Sequence, residues 1–318
     1  MGIFEIADPS RIEALYAGWP ETFIWSFLQG YMGFAWADHP CSPRSAKIMA
    51  GDFCLFAGKP NVDLILHRPK GKRTGCFILV PQNEAWSREI EQALGNHARR
   101  ITRYATRKDP AAFDCGDLER FAALSNPDFQ LRSIDELLFR LLQKGEWSHD
   151  LCSQFADYAD YERRGIGVAA LYQGTPVAGA SSYTVYRGGI EIEIDTRVDF
   201  RRQGLATACG ARLILNCLER GLYPSWDAHS RASLSLAEKL GYKLDRPYPA
   251  YEYTIGSPSA HSAIGWSNAL GHSFLNQQGN RKNRMRPNGE SVSVCGFAIG
   301  AHCRFILMQQ ISQTAFFA

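Results

Sequence analysis

The stretch IEIEIDTRVDFRRQGLAT, residues 190 to 207, spaces three acids two residues apart and then sets two arginines close to a glycine. Glu191, Glu193 and Asp195 alternate with Ile190, Ile192 and Ile194. Successive side chains of a strand point to opposite faces, so the three carboxylates share one face. Like charges crowded together raise one another's pKa, which suits a proton acceptor. A half-solvated strand shows the same alternation, and both readings stand at the level of sequence. Arg201, Arg202 and Gly204 fall where the alternation ends and small and apolar residues begin. That is the pattern of a strand running into a helix. The first amides of a helix have no internal partners and sit at its positive dipole end. A glycine at such a turn lets an anion approach the main chain, and the arginines deepen the same field. The turn is suited to a pyrophosphate.

The elements that must hold these residues can be read around them. Neither G-x-x-x-x-G-K-[ST] nor G-x-G-x-x-G is present, which argues against a nucleoside-triphosphatase loop or a dinucleotide fold; R-x-x-G-x-A is present as Arg201, Gly204 and Ala206. Behind the turn a helix is predicted through about Arg220, with Ala206, Cys209 or Gly210, Leu213 and Cys217 forming a small-residue face. Three strands precede the turn, at 166–173, 177–186 and 190–196, joined through QGTP and RGG. One short strand YPSWDA, a helix RASLSLAEKLG and a last strand near PAYEYTI follow it. Upstream, FQLRSID reads as a strand, DELLFRLLQKG as a helix, and DLCSQFADYADYERRG as a second helix. Antiparallel strands leading into strand, helix, strand, helix, strand make an α+β layer with a parallel junction.

Residues 1 to about 115 form an earlier zone in which ETFIWSFLQGYMG reads as a helix and GDFCLFAG, NVDLILHR and CFILVPQ as strands. A helix is predicted over 84–97, with Trp86, Ile90 and Leu94 on one face, and RRITRYATRKD closes the sheet. No catalytic motif shows in this zone. Residues 256–318 are rich in Ser, Asn, Gln and Gly without sustained period and carry Arg281, Lys282, Arg284, Arg286 and Arg304. That segment is expected to be disordered or loosely docked, either an extension outside the chemistry or a docking strand.

Composition bounds the function. The chain of 318 residues is 45% hydrophobic and 21% charged with a net charge of +3, a soluble globular profile without the basic runs of a nucleic-acid binder. The N-terminus has no signal-peptide pattern, and no apolar stretch approaches the ~18 residues of a membrane span. A cytoplasmic protein is expected. Nine scattered cysteines without a C-x-x-C pair read as reduced core residues, so no metal is expected.

GIEIEIDTRVDFRRQGLAT, YPSWDAHS and SLAEKLGY resemble the GNAT superfamily of acetyl-CoA-dependent N-acetyltransferases over about 126 to 254. Together with AGDFCLFAGKP and RYATRKD they resemble a two-domain bacterial branch that includes zwittermicin-resistance type enzymes, over about 1 to 254. The resemblance implies a GNAT-type mixed, splayed central sheet flanked by helices over 116–255, with an additional N-terminal α/β domain over 1–115. It implies acetyl-CoA as co-substrate. The amides of Arg202, Gln203, Gly204, Leu205, Ala206 and Thr207 would hold the coenzyme A pyrophosphate, and Thr196, Arg197 and Val198 would pair with its pantetheine arm. An amide near Thr196 or Arg197 would receive the oxyanion. Within the family a glutamate of this strand often acts as base, which places Glu193 first and Glu191 second.

Two departures concern the general acid. The superfamily's usual tyrosine position is Ala237, counted from Gly241 and Tyr242, and its usual asparagine is replaced by Ser230, which is nonetheless placed among the coenzyme-binding residues. Ser230, His229, Tyr248 or Tyr251 are the substitutes, or the thiolate leaves unassisted, its free pKa being ~8.5. Asp227 either holds a cationic amine or caps the next helix, and His229 is otherwise a satisfied surface residue. The implied activity is acetylation of a primary amine on a small molecule, with an amine-bearing antibiotic as one acceptor, by a monomer or homodimer. The N-terminal domain would wall the acceptor site. Because of Ala237 a second class stays open, a non-catalytic acyl-CoA sensor or interaction module; a protein acetyltransferase is a third.

Overall fold

Polar caps and glycine turns cut the chain into short elements, and a computed structural model describes them over residues 2–68 and 75–255. The expectations for 256–318 lie outside the described residues. The first part supplies β1 (Phe4–Glu5), α1 (Thr22–Leu28), β2 (Phe34–Ala37), β3 (Ser45–Ala50), β4 (Phe53–Gly58), α2 (Val62–Leu66), β5 (Gly75–Pro81), α3 (Glu84–Leu94) and β6 (Ala98–Thr106). There follow α4 (Cys115–Ala122), β7 (Phe129–Ser133), α5 (Glu136–Lys144), α6 (Tyr158–Arg164), β8 (Gly167–Tyr172), β9 (Thr175–Tyr186) and β10 (Gly189–Thr196). The last elements are α7 (Leu205–Glu219), β11 (Tyr223–Ser225), β12 (Asp227–Ala228), α8 (Arg231–Lys239) and β13 (Leu244–Ile255).

The strands form two mixed sheets. The larger runs β1-β2-β3-β4-β5-β13-β6-β12 and the smaller β11-β10-β9-β8-β7. The parallel pairs are β4 with β5 and β10 with β11. β13 sits between β5 and β6, so the sheet begun by the N-terminal zone is completed by the strand that ends the second. Helices cover both sheets: α3 buries Trp86, Ile90 and Leu94, each worth about 2–3 kcal/mol on transfer from water. Helix α7 presents Leu205, Cys209, Leu213 and Cys217 to the smaller sheet, and turns Ala211, Ile214 and Leu215 toward α4 and α8. The architecture is α+β, mixed sheets flanked by helices, as the alternation of elements implied.

Three sequence expectations need correction. NVDLILHR is not a strand: the Asn61 side chain accepts the amides of Asp63 and Leu64 and starts the helix α2, and the apolar run Leu64–Leu66 is too short for periodicity to separate the two. The helix drawn over DLCSQFADYADYERRG is confined to Tyr158–Arg164, because Asp157 caps it by accepting the Asp160 amide. YPSWDA is not one strand. Its first half pairs in parallel with β10 and its second half with β6 of the other sheet. At Trp226 the chain leaves one sheet for the other.

Candidate active site

The junction begins where β10 ends. A single turn of 3-10 helix over Val198–Phe200 follows, and then two left-handed residues, Arg202 at φ 66° and Gly204 at φ 81°, curl the main chain before α7. Gly204 occupies the N-cap, and no side chain caps the helix. The first intrahelical bond closes at Ala208, whose amide donates to the Gly204 carbonyl, so the amides of Leu205, Ala206 and Thr207 precede any i−4 partner. A Cβ built on Gly204 meets nothing within 4 Å. The glycine therefore serves its left-handed backbone and leaves space above the amides, as a cradle for an anion requires.

The side chains of the turn are arranged less simply. Leu205 is buried against the small sheet, so only its main chain can line the cradle. Arg202 and Gln203 are exposed. Arg201 folds back, its Nε donating to the Thr196 carbonyl at 3.1 Å and its guanidinium 3.7 Å from Asp195. Arg197 is held by both oxygens of Asp199 and stacks over Phe200. Val198 is 67% exposed.

The Arg197 amide donates to the Val177 carbonyl and is not available to an oxyanion. The Thr196 amide lies 2.6 Å from its neighbour's Asp195 Oδ1. Main-chain groups of an antiparallel strand alternate in the direction they bond. With Arg197 turned to β9, the amides of Ile194 and Thr196 turn to the opposite edge, where pairing with β11 has ended at Glu191 and Ser225. Thr196 Oγ1 is buried with no hydrogen-bond partner among the described residues. A strand edge that its neighbour β11 has left, followed by a helix N-terminus without a side-chain cap, fits an extended ligand with a phosphate group.

The acid face is real, but its three members differ. Ile190 is buried in the core under α7, and Ile192 and Ile194 pack on it, which leaves Glu191, Glu193 and Asp195 on the other face. Glu191 is 4% exposed. Its Oε2 accepts the Thr22 hydroxyl at 2.5 Å and its Oε1 the Asp227 amide at 2.7 Å. Burial, then the charge of Asp227, raises it to about 7. Glu193 is half-buried and takes no hydrogen bond from the described residues. Burial, with Asp150, Asp195 and Asp52 adding like charge, raises it to about 8. Burial also raises Asp195. A carboxylate without partners, inclined to hold a proton, is chemically the freest group on this face.

Around the chain crossing lies a buried polar network. Arg103 of β6 donates from Nε to Asp227 Oδ1 at 2.6 Å and from a terminal nitrogen to the Asp227 carbonyl at 3.2 Å; the two side chains are 8% and 7% exposed. Burial opposes the charge of Arg103, but Asp227 and Tyr248 outweigh it and hold the guanidinium protonated. The Tyr248 hydroxyl donates to Asp227 Oδ2 at 2.7 Å. Asp227 thus neither caps α8 nor stands open to an amine. Ser230 is the cap, accepting the Ser233 amide at 3.2 Å. His229 is depressed by burial and by Arg103, whose guanidinium is 3.4 Å from its Nδ1. Tyr251 donates to Glu91 among side chains of the opposite core cluster, away from the acid face. Ala237 is wholly buried in the α8 core.

Sequence reasoning missed Arg103, Thr22, Asp52 and Tyr183. Arg103 alone left a signal: it stands in phase with Ile101 and Ala105, where an alternating strand turns its apolar side inward. Among the described residues no helix is long and apolar enough to cross a membrane.

A family model described as GNAT acetyltransferase matches residues 13–251. The uncharacterized N-acetyltransferase YdfB of Bacillus subtilis strain 168 is 26% identical over 248 residues, which span 72% of this chain and 89% of that protein. Among solved structures, a GCN5-related N-acetyltransferase-like protein from Streptococcus suis is 47% identical with a TM-score of 0.73, covering 77% of this chain and 98% of its own. A Drosophila protein at 10% identity and a TM-score of 0.52 covers 80% of this chain and 99% of its own, a likeness of fold.

Proposed function

From the premise that the chain belongs to the GNAT acetyltransferase family and is an N-acetyltransferase that uses acetyl-CoA, we propose that it acetylates a primary amine of a small molecule with Glu193 as general base. One observation carries the choice of residue. Glu193 is the member of the acid face whose carboxylate has no hydrogen-bond partner among the described residues while its proton affinity is raised to about 8. Glu191, the second candidate, has both oxygens occupied.

The acceptor arrives as an ammonium of pKa ~10.4 and must lose a proton before it can attack. A base near 8 narrows that gap more than an ordinary glutamate. In this reading Glu193 takes the proton, directly or through water. The amides of residues 202–207, in the positive field of α7, hold the pyrophosphate. The edge of β10 beyond its pairing with β11 holds the pantetheine arm, and the Thr196 amide, which donates to Asp195 Oδ1 in the free protein, turns to the carbonyl oxygen as charge grows there. Bound acetyl-CoA supplies the activated acetyl group. The Tyr248 hydroxyl is committed to Asp227 and burial raises it well above the usual tyrosine range, so in this reading the thiolate, of free pKa ~8.5, leaves unassisted.

The 1–115 segment forms the acceptor-side wall in this reading, through Thr22, Asp52 and Arg103. The acceptor is a free amine, an antibiotic amine included, rather than nucleic acid or membrane. The setting is cytoplasmic and the unit a monomer or homodimer. The non-catalytic sensor left open by Ala237 is not favoured by the family match. Thiol release from acetyl-CoA across polyamines, aminoglycosides, amino acids and peptides tests the proposal: turnover with a free amine is expected, and turnover confined to peptides would refute it.

A further inference from the structure

The residue that stands opposite Glu193 in the sheet is a serine. Ser181 of β9 pairs with Glu193 across the antiparallel ladder and with Gly167 of β8 on its other side, so its side chain shares the acid face. Directly opposed residues of such a ladder have Cβ atoms about 4.5–5.5 Å apart, which brings a serine hydroxyl within reach of a glutamate carboxylate. Ser181 does not use that reach. Its Oγ lies 2.8 Å from the Tyr161 hydroxyl of α6 and donates to the Ile166 carbonyl at 3.4 Å. Tyr161 is buried, its ring against Phe139 and Phe155. Two glycines clear the room it occupies: a Cβ on Gly165 would stand 2.6 Å from its ring, and one on Gly167 2.3 Å from its hydroxyl. The neighbouring hydroxyls are claimed as well, Tyr183 donating to Asp52 Oδ1 at 2.5 Å and Thr22 to Glu191. The donors around Glu193 are thus each turned to another partner.

We propose that Tyr161 is a positioning residue that holds the Ser181 hydroxyl away from Glu193 and so keeps the base free for the proton of the acceptor. The inference rests on the assignment of Glu193 as base. A hydrogen bond donated by Ser181 would favour the charged carboxylate and weaken it as a proton acceptor. The charges that act on Glu193 are those of Asp195 and Glu191 on its own strand, Asp150 of the turn His149–Leu151, Asp52 of the β3–β4 turn and Arg103 of β6. Replacing Tyr161 or Ser181 alters none of these, and leaves the Tyr183 hydroxyl on Asp52.

Tyr161→Phe keeps the ring against Phe139 and Phe155 but takes away the near partner of Ser181, leaving the Ile166 carbonyl at a distance long for a hydroxyl donor. The hydroxyl then turns to the carboxylate in a charge-assisted bond. The acidic limb of kcat/KM should move to lower pH by on the order of one pH unit. Ser181→Ala should leave the limb in place, and the double variant Tyr161→Phe/Ser181→Ala should bring it back to that of the parent. The profiles are measured with an acceptor whose own amine titrates above the scanned range, and the Glu193 carboxyl is followed independently by carbon-13 NMR, its resonance assigned by loss in Glu193→Gln. A limb and resonance that move down together in Tyr161→Phe and return in the double variant support the proposal. Limb and resonance unmoved in Tyr161→Phe, or a shift that persists in the double variant, overturn it and leave Glu193 as base. A limb that persists in Glu193→Gln overturns both readings. If Tyr161→Phe is unfolded by circular dichroism, Ser181→Ala decides: a limb in place supports the proposal, and a limb moved to higher pH shows that the serine already donates to Glu193 and overturns it.

Discussion

Replacing Glu193 by glutamine tests the central assignment through two independent quantities. The ordinary pKa of 4.5 is raised to about 8, and each pH unit of such displacement corresponds to ~1.4 kcal/mol. The full displacement bounds the cost of ionising this side chain in the folded protein at about 5 kcal/mol, and solvent at a half-buried site screens it to on the order of 2 kcal/mol. The sign follows from proton counting. Between 4.5 and about 8 the folded state retains a proton that the unfolded state has released, so stability is fully present below 4.5 and falls as pH rises toward 8. Glutamine mimics the protonated acid. Glu193→Gln should therefore match the parent near pH 4.5 and exceed it by on the order of 2 kcal/mol at pH 8.5, read by urea denaturation across the range. The same variant should lose ~10²–10⁴-fold in kcat/KM and its acidic limb while coenzyme affinity by calorimetry stays within about threefold. Full activity with the limb intact refutes Glu193 as base. Equal stability gaps at both pH values refute the raised pKa, even if activity is lost.

Other changes probe the parts that hold Glu193 in place. The Cβ of Gly204→Ala meets no atom within 4 Å in the folded protein but enters the space above the amides: a fold retained with a loss of ~1–2 kcal/mol from its positive φ, and coenzyme affinity down at least ~10-fold by calorimetry; unchanged affinity contradicts the cradle. Arg103→Met strands a buried Asp227 and should cost ~3–5 kcal/mol by denaturation, part of which returns in the double variant with Asp227→Asn; a double variant no better than the single one denies the pair. Ser230→Ala removes a helix cap and should cost ~1 kcal/mol by denaturation; a coenzyme KM within about threefold of the parent limits Ser230 to capping, and a larger change supports its place among the coenzyme-binding residues.

What could be read from sequence was what neighbours along the chain decide. The turn at Gly204 needs only consecutive residues: an alternating strand, a residue able to take positive φ, and a run suited to a helix. The acid face was legible for the same reason, because parity within β10 depends on nothing outside it. The division of labour between Glu191 and Glu193 was not legible, since the groups that separate them come from afar. Thr22 is 169 residues from the Glu191 it donates to, and Tyr183 is 131 from Asp52. Local mistakes had local causes of another kind. In NVDLILHR the apolar run is too short to show a period, and the cap at Asn61 decides it. In YPSWDA the two halves obey different sheets.

That last point connects the buried charges to the chemistry. β11 follows β10 as far as Ser225; to leave it, the chain must give up ladder bonds in the interior, where an unpaired amide costs ~1–3 kcal/mol. The Asp227 amide is the first to need a new partner, and Glu191 supplies it. Arg103 and Tyr248 then hold the Asp227 side chain against the other sheet, while the Thr106 hydroxyl donates to the Trp226 carbonyl. The Trp226 carbonyl, the Asp227 amide and the Asp227 carbonyl are thus met by side chains instead of by the edge of β10. β11 does not pair with that edge from Ile194 to Thr196, where Asp195 accepts the Thr196 amide and Glu193 is left without a hydrogen bond among the described residues. Glu191 is held by the crossing through both carboxylate oxygens while Glu193 is not, so under the proposed function two glutamates two residues apart on one face take different roles.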